Sequence, residues 1–268
     1  MPKYLELIGS KWRLLLFTLP FTVLFCLARF LIHQLGWRGW DFDGLASALV
    51  AATTFVTAFV LSGILTDYKL SEGLPADLCS SVEAIQDCNS LEASSHAEYD
   101  PQPLLGNLIQ LLEELHNWLL SGQSPELVLQ RIAGLSPWFA QMEAFSAPPL
   151  ISRLQLEQAK LRQMVLRIQV IRETNFVPPA YAILELFTAA TIGALLFLNG
   201  EQPLRETIQS AVLFTAFIYM QLLIRDLDNP FEYQSSSSAD VSLAIVLSAI
   251  QRLKQTTDIT ATLTNATH

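Results

Sequence analysis

Charge is scarce in this chain. Only 15% of its 268 residues are Asp, Glu, Lys or Arg, whereas a soluble domain carries about a quarter. Such a shortfall is expected where part of a protein has lipid as its solvent. Basic residues are scarcest: 16 Lys and Arg stand against 25 Asp and Glu, a net charge of −9. That argues against a nucleic-acid partner, which would need a clustered basic surface. Cysteine is nearly absent. Cys26, Cys79 and Cys88 are odd in number and lack metal-ligand spacing, so they read as reduced packing residues. His33, His96, His116 and His268 are scattered, and no two stand four apart on one helical face. There is no glycine-rich phosphate loop, no nucleophile elbow and no pair of acids inside an apolar run. The expectation is therefore no enzyme, no cofactor and no metal.

Apolar sequence is abundant, at 51% hydrophobic residues. Four runs stand out: 14–33, 45–66, 177–198 and 207–224. Each is about the 20 residues that a helix needs to cross a hydrocarbon core. The first is too long for a signal peptide, contains Arg29 and lacks a small-x-small cleavage site. The fold class is an all-α membrane protein with four transmembrane helices and a helical block between the second and third. Lys3, Lys11 and Arg13 precede the first run, and Arg225, Arg252 and Lys254 follow the fourth. The loops 34–44 and 199–206 are poorer in bases, so both termini are expected on the cytoplasmic side. Trp37 and Trp40 then mark the outer interface, and Trp12 the inner one.

The expected domains are a first transmembrane hairpin (1–66), a cytoplasmic helical insert (67–176), a second hairpin (177–226) and a tail with one helix (227–268). Within the insert, 71–93, 103–122, 124–145 and about 150–175 show apolar spacing of three to four. Gly122 with Ser124-Pro125 marks a stop and a start, and Pro148-Pro149 starts the last helix. Residues 94–103 read as a long loop. Asp67 to Glu143 hold twelve acids against Lys69 and Arg131, whereas Arg153 to Glu173 hold five bases and two acids. Pairing of the basic helix with the acidic ones is expected over contact with lipid headgroups.

Two ionisable residues fall inside the spans, and each needs a partner or a function. Arg29 lies near the outer end of its span, with Gln209 and Ser210 at similar depth. Glu185 lies nearer the inner side, with Tyr219 and Gln221 at similar depth. The depths disfavour a direct Arg29–Glu185 pair. Snorkelling suits Arg29 and an interhelical contact suits Glu185; an ion-path role is the alternative for both. Span two carries no charge but has a stripe of Ser47, Ala51, Thr54, Ala58 and Ser62, with Phe55 and Phe59 one turn apart beside it. Close helix packing and a pore wall with a hydrophobic constriction both fit that stripe.

Residues 223–243, LIRDLDNPFEYQSSSSADVSL, follow the last run. Asp228-Asn229-Pro230 can end the helix and turn the chain, because the residue before a proline avoids helical geometry. Phe231 is then a large apolar group among polar ones, suited to anchoring a turn that couples the membrane part to the insert.

This layout, with Asp228-Asn229-Pro230-Phe231 after the fourth span, resembles the bestrophin family of ion channels. DVSLAIVLSAIQRL (240–253) resembles the helix that follows there, and TDYKLSEGLPADLCSSVEAIQD (66–87) is closer to the bestrophin-like domain membrane proteins. The resemblance implies a homo-oligomer, a pentamer, with span two lining a central pore for monovalent ions. Thr54, Phe55, Ala58, Phe59 and Ser62 would then be the pore-lining residues. Two departures matter. The acidic cluster that binds calcium after the Pro-Phe of animal bestrophins is replaced here by Glu232, Tyr233, Gln234 and four serines. The aromatic-rich segment after span two is also missing. The acidic insert favours cations, if it lines a vestibule, by focusing negative potential. A second reading is a non-conducting membrane scaffold that docks a cytoplasmic partner through the acidic helices. Compact size and a short tail suggest a bacterial plasma membrane or an internal membrane.

Overall fold

A computed structural model describes residues 2–36, 44–122, 124–174, 177–198, 203–233 and 239–266. Trp37, Trp40 and the serine tract 235–238 lie outside the described residues. Nine helices form among the described residues: α1 (Pro2–Gln34), α2 (Gly44–Ser95), α3 (Gln102–Ser121), α4 (Glu126–Ala133), α5 (Ser136–Met142), α6 (Pro148–Glu173), α7 (Pro178–Leu196), α8 (Pro203–Asp228) and α9 (Ala244–Ala266). Proline opens α6, α7 and α8, since its missing N–H costs nothing in a first turn and its fixed φ is already helical. Gly122 stops α3 in the left-handed conformation at φ 68°, its N–H donating to the Trp118 carbonyl.

Two expectations about the helices change. Run 45–66 and segment 71–93 are one helix of 52 residues, about 78 Å long at 1.5 Å per residue. No strong breaker separates the two segments, and Pro75 is accommodated inside the helix. Segment 124–145, expected as one helix, is instead the pair α4 and α5. The break falls at Gly134-Leu135, because Pro137 needs a helix start close behind it.

The chain forms two compact units, residues 1–68 with 175–229 and residues 69–174 with 230–268. In the first unit, α1, α2, α7 and α8 are the helices long and apolar enough to cross a membrane. Their helices meet through two small apolar clusters. Val60 and Ile64 of α2 pack with Leu184 of α7 and Ile224 of α8. Phe25 stacks on Phe214 at 4.4 Å and packs with Leu195. Hydroxyl pairs tie the same helices: Thr53 to Thr191 at 2.6 Å and Thr22 to Thr215 at 2.8 Å.

The second unit has one continuous apolar core. Leu104, Leu108, Leu111, Leu115 and Leu119 of α3 repeat at three-to-four spacing along its spine. Leu154, Leu161 and Ile168 of α6, and Val246, Ile250 and Leu253 of α9, complete it. The acidic helices are compensated differently from expectation. Glu83 of α2 pairs with Arg252 of α9, and Glu113 of α3 pairs with Lys254 of α9 at 2.7 Å. Glu114 of α3 pairs with Arg131 of α4. Lys160 of the basic helix α6 bonds Glu157 in its own helix at 2.8 Å. Burial opposes ionisation of Glu157, yet hydrogen bonds from Lys160 and Ser81 outweigh it and hold the carboxyl below its usual range.

Phe231 is wholly buried in this core. The chain closes around it: the Val241 N–H donates to the Pro230 carbonyl at 3.0 Å, and the Tyr233 hydroxyl donates to the Val241 carbonyl at 2.8 Å. Phe231→Ala should lower stability by about 3–5 kcal/mol, the cost of emptying a packed phenyl site. Thermal unfolding in detergent checks this, and a loss under about 1 kcal/mol would show that the site collapses without strain.

Candidate functional site

Helix α2 presents two chemically distinct faces within the first unit. Thr53, Thr57, Val60 and Ile64, at steps of four, three and four, are buried against the neighbouring helices. The other face holds Ser47, Ala51, Thr54, Ala58 and Ser62, all exposed. Phe55 and Phe59 lie on it, each 71% exposed. All five pore-lining candidates therefore share one uncovered surface of the protomer. The hydroxyl protons of Ser47 and Thr54 are used locally. Ser47 donates to the Gly44 carbonyl at 3.1 Å and Thr54 to the Val50 carbonyl at 2.8 Å. What such residues can offer outward is an acceptor oxygen, not a donor.

Arg29 is bonded within the protein. Its side chain is only 7% exposed and runs to the C-terminal end of α7. One guanidinium nitrogen donates to the Leu195 carbonyl and to the Ser210 hydroxyl at 3.0 Å. The other donates to the Leu198 carbonyl at 2.8 Å and lies 3.9 Å from Glu206. The cause is the helix end itself: its last carbonyls have no intrahelical partner, and a cation there also meets the negative end of the dipole. Of the two residues expected at this depth, Ser210 is buried beside Arg29 and Gln209 is exposed.

Glu185 pairs with Arg225 of α8 at 2.8 Å. The sequence offered Tyr219 and Gln221 by depth alone; Arg225 sits lower, and its long side chain covers the difference. Gln221 is half-buried on α8. Arg29 and Glu185 thus have separate partners, as their depths require. The coupling turn divides between the two units. Asp228 and Asn229 end the first, and Pro230 and Phe231 begin the last segment of the second. Arg172 of α6 lies 5.6 Å over the Trp118 ring, and burial lowers its pKa against the raising effect of Tyr233 and Glu232. Among the described residues no three of His, Cys, Asp or Glu gather as a metal site.

Sequence reasoning missed the carbonyl partners of Arg29 and the threonine pairs. Backbone oxygens leave no mark in a sequence. Thr53 and Thr57, one turn apart and off the small-residue stripe, were the available sign of a second polar contact face.

These features define a multi-pass helical membrane protein. No family model matches the chain, and no curated protein matches it. Solved structures do. A variant of a bacterial bestrophin homologue from Klebsiella pneumoniae is 16% identical, covering 91% of this chain and 97% of that one, with a TM-score of 0.63. A second variant of that homologue is 15% identical over 90% and 96%, with a TM-score of 0.64. A crystal structure described as a membrane protein is 13% identical over 88% and 96%, with a TM-score of 0.67. The chain has the fold of the bacterial bestrophin homologues.

Replacing Arg29 by Met should cost about 1.5–3 kcal/mol, since charge-assisted hydrogen bonds are lost and carbonyls are left unpaired. Ser210→Ala should cost about 1 kcal/mol. Thermal midpoints in detergent decide it; equal losses for the two variants would contradict the geometry described.

Proposed function

We propose that the protein is a homo-oligomeric ion channel of bestrophin type, with the outward face of α2 lining the pore. One observation carries this reading: the protomer leaves Phe55 and Phe59 uncovered on a face otherwise made of small and hydroxyl residues. A lipid-facing helix looks different. On α1 the exposed residues include Leu16, Phe17, Leu24, Leu27, Phe30 and Leu31, bulky groups that suit acyl chains. Copies arranged around an axis bring the α2 faces together, with rings at Phe55 and Phe59 as a hydrophobic constriction and Thr54, Ala58 and Ser62 between and beyond them. Five copies is the number that the family resemblance implies. Both termini lie on the cytoplasmic side, by the distribution of Lys and Arg at the ends of the spans. The likeness of fold to the bacterial homologues supports a bacterial plasma membrane as the site of action.

The permeant species are monovalent ions, with a preference for cations. The net charge of −9 and the acid excess between Asp67 and Glu143 create negative potential, and the outward oxygens of α2 are acceptors. Neither feature calls for a bound cofactor or calcium at Asp228–Phe231. Asp228, Asn229, Pro230 and Phe231 instead form the mechanical join between the two units, with Phe231 as its anchor.

Purified protein in liposomes should pass ions, and Phe59→Ala should raise the flux several-fold by opening the constriction. Unchanged flux in that variant removes α2 from the pore. In asymmetric KCl the reversal potential should follow potassium; a potential that follows chloride overturns the cation assignment.

A further inference from the structure

Helix α6 is apolar on two opposite sides. One side, with Leu154, Leu161, Val165 and Ile168, lies in the core. The opposite side carries Leu156 and Val170, each more than half exposed, and Leu166, also exposed. Leu156, Gln163 and Val170 recur every seven residues, and Ser152, Ala159 and Leu166 do the same between them. That is the period of a helix seam that expects a partner helix. Arg162 and Arg167 flank it, both exposed, and neither makes an ion pair among the described residues.

The second half of α2 carries the complementary pattern. Leu70, Asp77, Ala84 and Leu91 recur every seven residues on it, with Gly73, Ser80 and Asp87 between them. Leu70 and Leu91 are each more than half exposed. A Cβ built on Gly73 would meet nothing within 4 Å, so this face is open. Asp77 and Asp87 are exposed and, like the α6 arginines, make no salt bridge among the described residues, while Asp87 acts electrostatically on the adjacent Cys88. The two seams run about 32 Å and about 27 Å at 1.5 Å per residue. One is acidic with small residues at its centre, and the other is basic with larger ones.

We infer that the outer face of α6 docks along residues 70–91 of α2 in a second copy of this chain. The surfaces differ, so the contact is heterologous: each copy offers α6 to one neighbour and α2 to the other. Contacts of that kind close into rings when the rotation between copies divides the circle, and otherwise run on as filaments. Apolar ends and small central residues let the helices approach, while Arg162 and Arg167 against Asp77 and Asp87 set the register and exclude like-charged alternatives. The inference rests on the oligomeric reading above and deepens it by naming the interface.

Charge reversal tests it in full-length protein in detergent, with oligomer mass read by light scattering. Arg162→Glu with Arg167→Glu should shift dissociation to at least about tenfold higher protein concentration, as should Asp77→Lys with Asp87→Lys, because like charges then face each other. All four substitutions together should restore assembly. Unchanged circular dichroism in each variant shows that the helices are intact. If the wild type is itself a monomer, the oligomeric reading fails and the interface with it. If the wild type assembles and neither reversal weakens it, or the fourfold variant is not restored, the interface alone is overturned. Reduced binding to phosphatidylglycerol vesicles by the arginine variant, with assembly unchanged, assigns the α6 face to lipid and overturns the proposal as well.

Discussion

A backbone carbonyl inside hydrocarbon has no water to turn to, and the first unit is arranged around that fact. Helices satisfy their own carbonyls except in the last turn. Where α7 ends, Arg29 crosses from α1 to supply the donors, with Ser210 of α8 accepting alongside. One guanidinium therefore joins three helices, and its geometry suits the task because its planar fork reaches several acceptors at once. A lysine could neutralise the helix end but could not span Leu195, Leu198 and Ser210 together. The threonine pairs and the Phe25–Phe214 stack then lock the helices that this contact brings close.

The remaining character of the fold lies in α2, a helix that serves two solvents. Its first half belongs to the unit that carries the spans, and its second half belongs to the other unit's core. In both halves one side is buried and the other is left bare by the protomer. The bare side of the first half can face lipid, whereas an apolar seam in water invites a partner. On the channel reading proposed above, other copies of the chain would cover these bare sides.

The sequence made the spans legible because lipid demands long uninterrupted apolar runs, and nothing else in a chain looks like 45–66. It also exposed the turn at Pro230, since a proline and a lone large aromatic among polar residues have a local physical meaning. What it hid was whatever depends on reach or on backbone. Arg225 joins Glu185 through side-chain length, which depth alone does not count. The continuity of α2 through Pro75 was obscured because hydropathy changes there while the helix does not. Glu83 and Glu113 found their bases on α9, where Arg252 and Lys254 looked like ordinary tail charges; charge balance in a sequence identifies a need but not its supplier.

The Arg29 contact also orders the protein's manufacture. Its first acceptor lies 166 residues further along the chain. During synthesis the first two apolar helices are made long before α7 exists, and in that interval the Arg29 guanidinium lacks these acceptors. The contact that joins α1, α7 and α8 can therefore form only after the end of α7 and the start of α8 have been made.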